Sequence, residues 1–185
     1  MTFAQEGAMR TVTYGAACSL DGFIAGSGGE IDWLHSSRDV SEIMRDYWKS
    51  IDTILWGRKT WDQALRMGGA GGGGKTSKIR SYVFSRTLTS LDANGAELVR
   101  GEAGAFVRDL KQRTGKGICL MGGGELARSL LDADVVDEIG MNVHPVLLGS
   151  GVPMFLDPRH RVLLELMSSR KIDGGCVYSM YRVKH

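Results

Sequence analysis

Cysteine is scarce: Cys18, Cys119 and Cys176 are the only three in the chain. An odd number cannot pair completely, and no CxxC or His/Cys ligand spacing accompanies them, so neither a disulfide framework nor a metal site is expected. Each lies in an apolar, strand-like run, which suits buried thiols in a reducing compartment. Charge of one sign is lacking as well. Lys and Arg number 23 against 21 Asp and Glu, a net charge of +2, and the basic residues are scattered, which argues against a nucleic-acid or membrane surface. Long apolar stretches are absent too: none approaches the ~18 residues of a membrane span. The first ten residues show no apolar core of the signal-peptide kind. A cytoplasmic protein without a nucleic-acid or membrane partner is therefore expected.

Glycine, by contrast, is abundant: 26 of 185 residues, about twice the usual ~7%. Nine of these fall in two clusters, at 68–74 and 122–124, so the excess is local. The 43% hydrophobic and 24% charged fractions describe an ordinary globular chain. The length fits one domain at ~100–200 residues per domain. Residues 1–9 are expected to form a disordered N-terminal extension and residues 10–185 a single domain, with no internal repeat or linker.

Short apolar runs alternate with amphipathic segments. Residues 11–19 read as a strand, followed by a turn-rich loop at 21–30. Val40, Ile43, Met44, Tyr47 and Trp48 recur at helical spacing within 39–50, and Asp39 with Glu42 has the form of a capping box. Residues 51–56 form a buried strand, and Gly57 turns into a short helix with Trp61, Ala64 and Leu65 inward. Further strands are expected at 80–85, 96–99, 117–121 and 135–144, and helices at 103–110 and 125–131. Two last runs, 162–172 and 176–184, flank Asp173-Gly174-Gly175, a hairpin signal. Strand–helix alternation followed by strands alone predicts an α/β three-layer sandwich. Its central sheet should be mainly parallel, with helices on both faces and an antiparallel C-terminal edge.

Residues 69–76 satisfy the phosphate-loop pattern G-x-x-x-x-G-K-[ST], whose chemistry needs a strand before it and a helix after it. Here a helix precedes and a strand follows, so a mobile loop bordering a cleft is expected instead. Gly122, Gly123, Gly124, Glu125, Leu126 and Ala127 match G-x-G-x-x-[GA] between a strand and a helix. Such a junction brings backbone N–H groups to an anionic pyrophosphate, and the helix dipole favours the charge; the alternative is simply a tight strand-to-helix turn. The acidic residue that a dinucleotide fingerprint wants ~20 positions on is missing, since Asn142, His144 and Pro145 stand there. Gly57, Arg58, Lys59 and Thr60 make a second turn of this type, and Ser85-Arg86 a third element after a strand. Ligands of α/β sheets lie beyond the carboxyl ends of strands. Together the three segments point to a dinucleotide, the arginines being suited to an extra 2′-phosphate.

In this order, Gly57-Arg58-Lys59-Thr60-Trp61, Ser85-Arg86 and Met121-Gly122-Gly123-Gly124-Glu125-Leu126 resemble the cofactor motifs of dihydrofolate reductases. Ser19-Leu20-Asp21-Gly22-Phe23-Ile24-Ala25 and the segment Pro145-Val146-Leu147-Leu148-Gly149-Ser150-Gly151-Val152-Pro153 are more similar to the reductase domain of bifunctional riboflavin-biosynthesis deaminase-reductases. The resemblance spans residues 10–183 and implies a dihydrofolate-reductase-like fold, a single reductase domain, NADPH as hydride donor and a homodimer. By position it implies that Gly57, Arg58, Lys59 and Thr60 grip the NADPH phosphates, while Ser85 and Arg86 meet the adenosine ribose and its 2′-phosphate. Gly122, Gly123 and Gly124, with the amides of Glu125 and Leu126, would hold the pyrophosphate and nicotinamide end, with a cis Gly-Gly link among them. Ala17, Asp21, Ile24 and Trp33 would line the pocket where nicotinamide meets substrate.

The departures bear on the substrate. The carboxylate that dihydrofolate reductases carry on their first long helix has no single counterpart: counting from Trp33 reaches Arg38 and Asp39, and counting back from Gly57 reaches Ser41 and Glu42. Where riboflavin reductases carry a lysine early in strand one, Tyr14 and Gly15 stand here. The proton donor is left open between Asp21, Asp39 and an ordered water. The implied activity is NADPH-dependent reduction of 5-amino-6-(5-phosphoribosylamino)uracil or a related small heterocycle. A true dihydrofolate reductase and a nucleotide-binding module without catalysis are the alternatives. His35 and His144 are expected in surface or hydrogen-bonded roles.

Overall fold

A computed structural model describes residues 9–66, 78–91 and 95–185. The glycine tract at 68–74 with its phosphate-loop match, and all but the last residue of the expected extension at 1–9, lie outside the described residues.

Eight strands form the main sheet: β1 (Val12–Ser19), β3 (Ile51–Gly57), β4 (Arg80–Phe84), β5 (Ala96–Val99), β6 (Gly117–Gly122), β7 (Glu138–His144), β9 (Leu163–Lys171) and β10 (Val177–Lys184). Their order is β5-β4-β3-β6-β1-β7-β10-β9. The first six run parallel, whereas β10 pairs antiparallel with β7, and β9 antiparallel with β10. This is the mainly parallel sheet with an antiparallel C-terminal edge that the element order predicts. Four helices complete the layers: α1 (Arg38–Ser50), α2 (Arg58–Arg66), α3 (Ala103–Gln112) and α4 (Gly124–Asp132).

Alternation along β1 sorts the two faces. Val12, Tyr14 and Cys18 join Val107 and Leu110 of α3 and Leu126 and Leu130 of α4 in the larger core. Thr13, Gly15 and Ala17 face the other way, toward the side carrying α1 and α2. There Ile54, Trp56, Trp61 and Cys119 form a smaller core, with Tyr47 and Trp48 of α1 packed at its border. Among the described residues, nineteen buried apolar residues lie in the first cluster and six in the second. At about 1.5–3 kcal/mol per large buried side chain, the α3–α4 face carries most of the stability. The α1 face can therefore stay open without unfolding the domain.

Three local expectations change. Helix α1 is capped by Ser37, whose Oγ accepts the Val40 N–H at 3.2 Å, so the expected Asp39–Glu42 capping box does not form. Ser37 takes the role because its extended backbone lies one residue before the first helical position. Within the expected loop at 21–30, β2 (Phe23–Ala25) pairs antiparallel with β8 (Val152–Pro153), a ribbon whose partner is too distant in sequence to be read from local pattern. Leu65, expected inward, is 39% exposed.

Candidate active site

The three turns singled out in the sequence converge. Parallel pairing of β3 with both β4 and β6 sets their carboxyl ends side by side. A Cβ on Gly57 would lie 2.8 Å from Gly123 N and 3.1 Å from Gly122 O, so the first and third turns touch backbone to backbone. Across that contact Lys59 Nζ stands 3.4 Å from Glu125 Oε1, and a Cβ on Gly123 would meet Thr60 Oγ1 at 3.0 Å. The second turn joins from the other side: Arg58 Nη1 donates to Thr87 Oγ1 at 3.3 Å, and Ser85 Oγ accepts from the Leu88 N–H at 3.1 Å. Arg86 is exposed beside it. Helix α4 begins at Gly124 with Gly123 as its N-cap and no side-chain hydrogen bond at the cap, which leaves its N-terminal amides to an outside acceptor. The Gly122–Gly123 peptide is cis, as the resemblance implies. Leu126 itself is buried in the main core, so only its amide can face a ligand.

The two acidic candidates are committed elsewhere. Asp21 accepts hydrogen bonds from Ser19 Oγ at 2.6 Å, the Gly149 N–H at 2.8 Å and the Leu148 N–H at 3.2 Å. The Ser19 bond, then the two amides, hold its carboxyl below the usual carboxylate range. It organises the turn after β1 against the 145–153 segment. Asp39 Oδ2 accepts the Asp173 N–H at 3.0 Å, fastening the start of α1 to the β9–β10 turn. Glu42, the other acid on that helix turn, faces Arg38 at 2.9 Å.

Below α1 the sheet is unusually bare. Gly15 and Ala17 sit mid-way along a central strand yet are only half-buried, and the nearest atoms to a Cβ built on Gly15 are those of the Gly140 backbone, at 3.4–4.0 Å. Although α1 is amphipathic, none of its residues is fully buried. Its two ends explain why. Asp39 anchors one end at the β9–β10 turn, and Tyr47 rests near Cys119 and Thr13 at the other, where burial raises its phenol strongly. Between those ends Val40, Ile43 and Met44 are only half-buried, on the side of the sheet where Gly15 and Ala17 leave β1 bare. Trp33 closes one side, edge-on to His144 with ring centroids 5.4 Å apart, and Ile24 packs at the border of the main core.

Sequence reasoning missed two polar residues of this cleft, Asn142 and Tyr178, which pair across β7 and β10. The signal was present for Asn142, an amide in the middle of an apolar strand, but the side of the sheet it faces follows only from register with Ala17.

Residues 10–178 match the RibD C-terminal domain family. The chain is 34% identical over 180 residues to the uncharacterized protein YyaP of Bacillus subtilis (strain 168), covering 93% of this chain and 94% of YyaP. It is similar in structure to a protein of Shewanella sp. PV-4 whose name assigns it provisionally to riboflavin biosynthesis. There the TM-score is 0.82 at 25% identity, over 95% of this chain and 99% of the other. Dihydrofolate reductase from Enterococcus faecalis, complexed with NADP(H), shares the fold with a TM-score of 0.69 at 15% identity, over 95% of this chain and 97% of that enzyme. The chain therefore belongs to the RibD C-terminal domain family and carries a reductase-type, dihydrofolate-reductase-like fold.

Proposed function

We propose that this protein is an NADPH-dependent reductase acting on a small heterocycle, with 5-amino-6-(5-phosphoribosylamino)uracil or a close relative as the best-named substrate. The observation that carries the reading is the meeting of two strand-to-helix turns and the turn after β4 on one rim. The residues fit a phosphorylated dinucleotide. Uncapped amides at the start of α4 suit a pyrophosphate, and Arg58 and Arg86 stand where a 2′-phosphate would need cations. The backbone contact between Gly57 and Gly123 leaves no side chain in the way. Bound NADPH would supply a hydride, and the protein's own share is to hold the two reactants in register. Ala17 and the cis glycine pair would form the floor for the nicotinamide, Trp33 and Ile24 its walls. With Asp21 ionised and Asp39 tied to the β9–β10 turn, the proton is assigned to water reaching the cleft.

Two further parts belong to the reading. A homodimer is supported by β9, in which all nine residues are exposed, among them Leu163, Leu164, Leu166 and Met167. A cytoplasmic setting is supported by three buried, unpaired cysteines. No helix among the described residues is long and apolar enough to cross a membrane.

The test is fluorescence titration with NADPH and NADH, then loss of nicotinamide absorbance with uracil, pteridine and quinone substrates. Saturable NADPH binding with turnover of a pyrimidine is the expected result, and absence of NADPH binding would sink the reading. The commitment of both candidate acids favours a second reading, a nucleotide-binding module without catalysis. Tight NADPH binding with flat traces on every substrate would select it.

A further inference from the structure

Asn142 lies in the middle of β7, in register with Ala17 on β1 and Tyr178 on β10. Its Nδ2 lies 3.2 Å from His144 Nε2, and its Oδ1 is buried with no hydrogen-bond partner among the described residues; amide oxygen and nitrogen are told apart only by their partners. The imidazole decides which atom is which. His144 Nδ1 faces the His35 backbone N–H at 3.4 Å and the Cys176 thiol at 3.4 Å, both able to donate, and so is the acceptor; a neutral ring then carries its proton on Nε2. Burial of His144, first, and the nearby His35 lower its pKa and keep the ring neutral. An Nε2–H needs an acceptor, so the amide is assigned the other way round, with its carbonyl oxygen on the His144 side and its NH2 at the unpartnered position. These donors then have no acceptor among the described residues, although Asn142 as a whole is only half-buried, a condition that folded proteins seldom leave unanswered.

The surroundings point to what answers it. Gly15 and Ala17 leave the adjoining strip of β1 half-open beneath α1. The Tyr178 hydroxyl, on the strand beyond, donates among the described residues to Met180 Sδ at 3.1 Å, a weak acceptor that a ligand oxygen would outcompete. Glu138, the one carboxylate on this face of β7, is two strand positions beyond Gly140 and accepts from Thr13 Oγ1 at 3.2 Å. The acids of α1 are engaged with other partners: Asp39 with the Asp173 N–H, Glu42 with Arg38 and Asp46 with Lys49.

We propose that Asn142 reads the substrate: its amide, fixed by His144, donates to a ring carbonyl of a neutral planar heterocycle lying over Gly15 and Ala17. The inference rests on the reductase reading and adds to it the hydrogen-bonding edge of the substrate, a carbonyl acceptor as on a pyrimidinedione rather than the amino donor of a diaminopyrimidine. His144 acts through Asn142 and is a positioning residue.

The test measures binding of 5,6-diaminouracil and 2,4-diaminopyrimidine by protein fluorescence, with and without NADPH. Wild type is expected to prefer the uracil. Asn142→Leu should weaken the uracil by about tenfold, the loss of one buried hydrogen bond, while NADPH affinity stays within about twofold. Asn142→Asp, an acceptor in place of a donor, should shift preference toward the diamine. His144→Phe should blunt the preference without abolishing binding, and serves where the Asn142 variants do not fold. A wild type that binds neither probe or both equally would overturn the proposal. So would an Asn142→Leu protein that melts higher and binds the uracil normally, since the orphan amide would then be a packing defect only. If NADPH fails to bind but uracil discrimination persists, the reductase reading falls and the assignment of Asn142 stands.

Discussion

At the scale of single residues, the cationic groups of the rim and the committed acids make opposite predictions. Arg58 and Arg86 are exposed and contact little that holds the fold, so truncating them should leave stability nearly intact. Arg58→Ala and Arg86→Ala should each weaken NADPH by about tenfold or more, since a charge-assisted phosphate contact is worth ~1.5–3 kcal/mol. NADH should lose far less, and equal losses for the two cofactors in parallel titrations would remove the 2′-phosphate from this rim. Asp21 acts on the fold instead. Its carboxyl is held below the ordinary 3.8, chiefly by Ser19 Oγ, so its stabilisation is present above that value and fades as pH falls through the lower folded-state value. Asp21→Asn should lower the melting temperature at neutral pH, and the gap to wild type should close in acid. A gap independent of pH would show that shape rather than charge holds the 145–153 segment.

Elements set how tightly the turns meet. The β3–α2 and β6–α4 junctions approach so closely that a methyl on Gly57 would press on the Gly123 backbone at 2.8 Å. Gly57→Ala must therefore spread the two turns, at about 1–3 kcal/mol by the usual cost of overpacking, and cofactor affinity should fall with it. Unchanged melting and unchanged NADPH titration would mean that the contact can relax freely. Helix α1 shows the converse arrangement. Pinned by Asp39 at one end and seated by Tyr47 at the other, it covers the sheet without filling the space below its middle. An apolar face without a buried residue fits the proposed role of a roof over the site, and the amphipathic pattern of the sequence does not distinguish that from ordinary packing.

For the whole molecule, the open question of surface is the C-terminal arm. An edge strand that is long, apolar and uncovered invites pairing or burial, and β9 exposes Leu163 by 57% and Leu166 by 56%. Sedimentation equilibrium should give twice the 20.1 kDa of one chain. Leu164→Lys with Leu166→Lys should yield a folded monomer with normal far-ultraviolet dichroism. A wild-type monomer at micromolar concentration would leave that face without its proposed partner.

The order of most strands and helices, the hairpin at Asp173-Gly174-Gly175 and the three rim turns, two of them glycine-bearing, were legible in the sequence, because each is written in local periodicity or in residues with special backbone freedom. The β2–β8 ribbon, the bond from Asp39 to Asp173 and the orphan amide of Asn142 were not, since each depends on a partner more than a hundred residues away in the chain. Sequence composition and spacing thus determined the layers and the dinucleotide-like rim. Tertiary register alone decided which acids are occupied, which strip of β1 lies bare and which amide is left facing it. Side-chain chemistry is local, whereas its availability depends on what the fold brings within hydrogen-bonding distance.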